Sequence, residues 1–377
     1  MKIRPFTIEI AQSEIDDLKK RISTWREPDQ LQAIGWAQGT EHEELRRLMQ
    51  HWRTGFDWRK HEAAWNIHPH YQTDIGGETI HFIHARAAVA TNRTVILTHG
   101  WPGSVFEFHR LIPLLTDPLS HGGRQEDAFN VVAPSIPGYG FSSRPTRPGL
   151  NLFTVADLWA ELMSRLGYKR YLAQGGDLGA SVSTCLAHAY PDSLAGVHLN
   201  FIPGSYSPPH DPDPDGDLSL EERAFLERKA GWADLHGAYA HIQATRPQTL
   251  AYGLTDSLVG LAAWMIEKFR DWSDCDGDLA NAAFRATTCS PTSRSTGSPG
   301  PSLRRCGSIG KRAPVRLHSR PARRSTSRLQ WLCFPRNCRC RQGVGSSASS
   351  RTSASGQRCR AVVISQPSSS PLCLHRI

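Results

Sequence analysis

The chain has 377 residues, of which 44 are Lys or Arg, 35 are Asp or Glu and 39% are hydrophobic. That length suits one large α/β domain with insertions, or two smaller domains, and can bury a sizeable core. The net charge of +9 would suggest a polyanion partner if it were spread evenly, but residues 285–377 hold 18 of the basic residues and none of the acidic ones, leaving 26 basic against 35 acidic in residues 1–284. No stretch reaches the roughly 18 apolar residues of a membrane span, and Lys2, Arg4 and Glu9 interrupt the N-terminal segment, so neither a span nor a secretory signal is expected. Cysteine usage divides at the same place, with Cys185 and Cys275 before residue 285 and seven further cysteines after it. So few in the first part point to a reducing, cytoplasmic setting. Cys338-Arg339-Cys340 has no partner pair at zinc spacing, so no metal is expected.

Residues 1–90 read as an N-terminal extension. Its charged helical segments run from Gln12 to Trp25 and from Glu41 to Trp52, the latter leading into Trp52-Arg53-Thr54-Gly55-Phe56-Asp57-Trp58-Arg59. His81–Arg86, Thr94–Thr98 and Phe129–Ala133 read as strands, the second of the short apolar kind found in sheets buried on both faces. Thr154–Leu166 has helical spacing at Val155, Leu158, Trp159, Leu162, Met163 and Leu166, with Thr154 and Asp157 in capping-box positions and Gly167 as the stop. A strand at Tyr171–Gln174, a helix from Ala180 and a strand at Leu194–Asn200 complete a core over residues 91–200. Strands alternating with helices imply a mostly parallel sheet covered by helices, with ligands at the carboxyl ends of its strands. Residues 201–284 begin with the Pro- and Asp-rich stretch Pro203–Asp217 and continue as helices from Leu220, a cap over the core. Beyond Phe284 the periodicity stops, and residues 285–377 are a basic, low-complexity tail expected to be disordered and outside the fold.

Gly175-Gly176-Asp177-Leu178-Gly179 lies between the strand and the helix, so an aspartate occupies the centre of a nucleophile elbow. The glycines leave room for a sharp turn that exposes the central side chain. A carboxylate held there suits attack on an epoxide or alkyl halide, because the resulting ester can be hydrolysed at its carbonyl in a second step. Gly-Gly-Asp also occurs in plain turns, but the flanking strand and helix favour the elbow. His99-Gly100-Trp101-Pro102-Gly103-Ser104 follows the strand Thr94–Thr98, where an α/β hydrolase places its oxyanion loop. The backbone N–H groups of Trp101 and Leu178 are then the expected oxyanion donors. Taken alone, His99-Gly100 reads first as an ordinary strand-ending turn, and only the elbow downstream reverses that preference.

These residues resemble the epoxide hydrolases of the α/β-hydrolase fold, in the microsomal-like branch with an N-terminal extension. The resemblance covers residues 1–284. It rests on the Trp52–Arg59 segment, the His99–Ser104 loop, the Gly138-Tyr139-Gly140-Phe141-Ser142 turn, the Asp177 elbow, and the cap run from His241-Ile242-Gln243 through Arg246-Pro247-Gln248 to Asp256–Leu261. It implies an α/β fold with an α/β-hydrolase core, and Asp177 as the nucleophile that opens the epoxide. It also implies Tyr239 as one of two cap tyrosines that protonate the epoxide oxygen, although a lone tyrosine in a helical region otherwise reads as packing. The implied partners are a small epoxide and water, with no cofactor and no nucleic acid, and a detoxifying role; a homo-oligomer is left open. Two rival readings remain. A haloalkane or haloacid dehalogenase uses the same fold, but commonly has tryptophan directly after its nucleophile, where this chain has Leu178. The other takes the basic tail as a nucleic-acid-binding arm on an inert hydrolase-like body, against which its arginines are scattered and few aromatics interleave.

The resemblance also calls for a water-activating histidine, an acid to orient it and a second cap tyrosine, all after residue 284, and none stands there in a recognisable motif. A shifted reading frame accounts for this. Joining the third base of each codon to the first two of the next permits Leu-Thr-Asn-Val-Thr-Leu-Tyr-Trp across Cys289–Gly297 and a tyrosine across Ser308 and Ile309. It also permits a glutamate across Arg336 and Asn337, and Gly-Gly-His-Phe-Ala-Ala-Leu-Glu across Ala361–Ser369. One missing base just after Phe284 is therefore expected, leaving the nucleophile intact and the water-activating pair scrambled.

Overall fold

The computed structural model describes residues 2–201, 219–273, 275, 277 and 361–363. The chain divides into two compact units, residues 1–268 with 332–377, and residues 269–331. The sheet and the site belong to the first. The second, within the described residues, comprises the end of the last cap helix and a turn in which Cys275 is buried.

The elements are β1 (Arg4–Phe6), α1 (Gln12–Ser23), α2 (His42–Thr54), α3 (Trp58–Trp65), β2 (His70–Ile75), β3 (Glu78–Ala85), β4 (Thr94–Thr98), α4 (Leu111–Thr116), β5 (Asn130–Pro134), α5 (Leu152–Arg165), β6 (Tyr171–Gly175), α6 (Leu178–Ala189), β7 (Leu194–Leu199), the cap helices α7 (Leu220–His236), α8 (Ala238–Thr245), α9 (Pro247–Asp256) and α10 (Leu258–Asp271), and β8 (Ala361–Val363). One eight-stranded sheet runs β1-β2-β3-β5-β4-β6-β7-β8. The strands β1 to β3 pair antiparallel, and β3 joins β5 antiparallel, while β5, β4, β6, β7 and β8 are parallel. Strand order reverses at β4, which has β5 on one side and β6 on the other, so a crevice opens at the carboxyl ends of β4 and β6. The register sets Thr98 opposite Gly175, which brings the loop from His99 beside the elbow.

Val95, Leu97 and Val131 pack one face of the sheet against Phe108 and Ile112, while Ile96, Val132 and Ala173 pack the other against α5 and α6. Trp159 of α5 is fully buried, and its Nε1–H donates to Thr98 Oγ1 at 3.1 Å, tying this helix to the end of β4. The helix α5 starts earlier than its apolar spacing indicates. Asn151 is the N-cap and Thr154 its reciprocal partner, because the Asn151 side chain accepts from Thr154 N–H and Thr154 Oγ1 accepts from Asn151 N–H. Gly167 does supply the left-handed stop, at φ 84°.

The N-terminal extension is more than a separate layer. Its strands complete the main sheet, and its helices hold the cap: Ile22, Leu45 and Met49 pack on Val259 and Ala262 of α10. Arg21 donates to the carbonyls of Thr255 and Asp256, and Thr40 Oγ1 donates to Ala263 O. At the other end, Ala361–Val363 extends the sheet beside β7, although the composition of residues 285–377 predicts a tail wholly outside the fold. Ala-Val-Val suits a strand, and the edge of β7 presents unpaired backbone groups for it. The remainder of the tail and the Pro203–Asp217 segment lie outside the described residues. No single helix among the described residues is long and apolar enough to cross a membrane.

A chain of imidazoles is buried where β2, β3 and β5 meet. His70 Nε2–H donates to Trp65 O (2.9 Å), His81 Nε2–H to His70 Nδ1 (3.0 Å), and the Ser135 hydroxyl to His81 Nδ1 (2.9 Å). Every ring nitrogen is used only if both rings are neutral. Burial lowers His70, lowers His81 to about 3, and lowers His84 and His99 to about 4. Unfolded histidines titrate near 6.5, at about that pH the unfolded chain begins to take up protons the native state refuses, so stability is full above it and falls with falling pH. The urea midpoint is therefore expected to drop steadily from pH 6.5 to 4.5, before the ion-paired carboxylates titrate, the buried histidines outweighing the one raised carboxyl, Glu107, whose effect has the opposite sign. A midpoint that stays constant down to pH 5 would contradict this origin.

Candidate active site

The elbow is built from local sterics. The strand β6 ends at Gly175 and α6 begins at Leu178, which leaves Asp177 at φ 51° and ψ −121°. Such a backbone costs a non-glycine residue about 1–3 kcal/mol and persists only where its surroundings enforce it. Here the surroundings are backbone: a side chain at Gly175 would overlap the main chain of Gly179, and one at Gly179 would overlap the Thr98 carbonyl oxygen. A side chain at Gly176 would stand 2.7 Å from Asn200 Oδ1. The glycines thus let helix, strand and loop close on one another with Asp177 at the apex.

The loop after β4 lies directly against that carboxylate. Trp101 N–H donates to Asp177 Oδ1 at 2.9 Å, and a side chain at Gly100 would stand 2.7 Å from the same oxygen. Leu178 is the first residue of α6, where N–H groups have no intrahelical acceptor and the helix end carries partial positive charge. These are the two positions expected to supply oxyanion donors. His99 has a different task. It is buried, its Nδ1–H donates to Gly100 O at 3.1 Å, and its Nε2 accepts from Ile136 N–H at 3.1 Å. Burial holds it at about 4, so it stays neutral and spends both nitrogens fixing the loop. The Trp101-Pro102 peptide is cis.

From the cap, α8 delivers Tyr239, whose ring stacks on the Trp101 indole at 4.9 Å with 12° between planes. The helix α10 covers it from another side, with Lys268 Nζ 5.2 Å from the ring centroid. Burial, and then the charge of Asp177, push Tyr239 up to about 12, so its hydroxyl keeps its proton near neutrality. The sequence-identified residues Asp177, Trp101, Gly100, Leu178 and Tyr239 therefore converge, with His99 and Pro102 shaping the loop.

Three further residues belong here. Burial and the charge of Asp177 raise Tyr139, in the Gly138–Ser142 turn. Lys268 is almost wholly buried and bonds Glu267 Oε1 at 2.8 Å. Glu107, on the 3-10 turn Val105–Phe108, is raised to about 7, chiefly by its dense surroundings and next by Asp177, while a Ser104 backbone hydrogen bond works against the rise. Its outer side remains open to solvent. The Gly138–Ser142 turn that carries Tyr139 is one of the motifs in the sequence, but no spacing marks Glu107 or Lys268, which become relevant only through the fold, Glu107 within the field of Asp177 and Lys268 over the Tyr239 ring. The expected histidine, acid and second cap tyrosine fall outside the described residues.

Residues 3–108 match the family Epoxide hydrolase N terminus and residues 93–263 the alpha/beta hydrolase fold family, so the extension overlaps the core across β4. An epoxide-hydrolase homologue from Stigmatella aurantiaca is 48% identical over 282 residues, covering 74% of this chain and 63% of that protein. Epoxide hydrolase 1 of Oryctolagus cuniculus is 38% identical over 296 residues, covering 73% and 64%. The chain thus spans less than two thirds of the length of these relatives. The Aspergillus niger epoxide hydrolase structure superposes with a TM-score of 0.63 at 34% identity, over 72% of this chain and 70% of that one. A shared fold over that extent, at that identity, makes this chain a member of the epoxide hydrolase family of the α/β-hydrolase fold.

Proposed function

We propose that Asp177 opens an epoxide by attack of its carboxylate on a ring carbon, forming a hydroxyalkyl ester, and that water then releases a vicinal diol. The observation that carries this reading is the cluster around one residue: Trp101 holds Asp177 through its N–H and Tyr239 through its indole face. The C–O bond of the epoxide breaks as the Asp177 oxygen bonds to carbon, and the epoxide oxygen takes the Tyr239 hydroxyl proton. A tyrosine held protonated suits that role. Tyr239→Phe is expected to slow ester formation about 100-fold or more, within the range for loss of a general acid, which rapid-quench mass spectrometry with styrene oxide would measure. An unchanged rate would remove Tyr239 from the reaction.

In the second half, water adds to the ester carbonyl, and the N–H groups of Trp101 and Leu178 receive the oxyanion. The family's histidine and acid for this step have no readable counterpart after Phe284. We attribute that to a frame shift, which sequencing the gene across the Phe284 and Arg285 codons would test. As written, the chain is expected to form about one equivalent of ester in a burst, with hydrolysis far slower. Turnover that continues at the burst rate would refute the impairment, and a chain that gains no substrate mass would refute the ester itself.

A further inference from the structure

The loop Gly100-Trp101-Pro102-Gly103 carries a carboxyl group at each end. At Gly100 it lies against Asp177, and at Gly103 a side chain would fall on Glu107 Oε1, so the missing side chain is the space that the Glu107 carboxyl occupies. Glu107 is anchored through its own N–H, which donates to Ser104 O at 3.0 Å, and its outer side faces solvent. Glu107, Tyr139 and Tyr239 all feel the charge of Asp177. Both tyrosines are held protonated, and the nearby His99 has both nitrogens engaged. Glu107, raised to about 7, can accept a proton near neutrality.

We propose that Glu107 is a general base for the water that hydrolyses the Asp177 ester, and that it supplies the slow second half-reaction of this chain. The inference rests on the ester mechanism proposed above. Water oxygen bonds to Asp177 Cγ while one of its protons passes to the Glu107 carboxylate, and the carbonyl oxygen becomes the oxyanion. Collapse breaks the bond from Cγ to the alkyl oxygen, which takes the proton back from Glu107 and leaves as the diol. The second water proton, left on the Asp177 carboxyl, ionises and restores the one that Tyr239 gave to the epoxide. A base of this kind works only when ionised, so the slow phase rises with pH through the range in which Glu107 loses its proton, which lies below about 7 once the ester has removed the charge of Asp177.

The test follows diol release by the full-length chain after the burst with styrene oxide, from pH 5.5 to 8.5, alongside Glu107→Gln and Glu107→Asp. The burst amplitude of each variant reports its folded, ester-forming fraction. Expected are a slow phase with an inflection below about pH 7, incorporation of 18O from labelled water into Asp177, and at least a tenfold loss of the slow rate at pH 8 in Glu107→Gln with partial rescue in Glu107→Asp. A Glu107→Gln slow phase matching the parent, a slow phase independent of pH, or ester that is never hydrolysed would each overturn the proposal for Glu107 while leaving the ester intact. Absence of the burst would instead overturn the Asp177 reading beneath it.

Discussion

Asp177→Asn is expected to abolish ester formation, with the rate falling at least about 10⁴-fold, in keeping with the loss of a covalent nucleophile elsewhere. The substitution is nearly isosteric, and an amide oxygen can still accept from Trp101 N–H, so the hydrogen bond at 2.9 Å survives. What disappears is the negative charge that attacks carbon. Lost with it is a favourable interaction with the N-terminus of α6, worth about 0.3–1 kcal/mol. Thermal stability should therefore stay near that of the parent while the mass gain with epoxide vanishes. A variant that still acquires substrate mass would place the nucleophile elsewhere, and one that unfolds would leave the Tyr239→Phe comparison to decide the cluster's role.

Gly179→Ala is expected to be among the most damaging single-methyl additions in the chain. Its new carbon would overlap the carbonyl oxygen of Thr98, a backbone atom at the end of a central strand, so relief requires moving α6 away from β4. Overpacking of this kind costs about 3 kcal/mol at its upper range. For a domain of this size that is a fall in Tm of about 6–12 °C. The same movement would carry Leu178 N–H and Asp177 away from Trp101, so ester formation should fall even in the fraction that folds. Gly253→Ala is the control: this position lies inside α9 with nothing within 4 Å, and removing glycine from a helix interior should raise stability by about 0.5–1 kcal/mol. Equal effects at the two sites, measured by thermal denaturation, would mean that the elbow does not depend on backbone closure.

Much of the local architecture was legible from short stretches of sequence. The apolar run of β4 matches the observed strand, Thr94–Thr98, and the Gly-Gly-Asp-Leu-Gly segment forms a strand, a turn with positive φ at Asp177 and a helix. Less regular patterns specify less. The strands β1 and β2 and the helix α3 carry too short or too mixed a pattern to stand out, and the cap of α5 moved from Thr154 to Asn151 because a polar box outweighed the first apolar residue. The Ala361–Val363 strand ran against the composition of its surroundings.

Local sequence specifies where a carboxylate stands at the apex of a turn, because steric limits on backbone dihedrals act over four or five residues and glycine spacing records them. It also specifies the two stretches, at Trp101 and Leu178, whose backbone N–H groups would lie near that turn, through the strand and helix that carry them. Long-range packing is what stacks Tyr239 on Trp101 from 138 positions along the chain, spends His99 on holding a loop, and seats Glu107 in the space left by Gly103. Those outcomes depend on desolvation and on charge acting across packed surfaces, and neither is encoded in the spacing of residues along one segment.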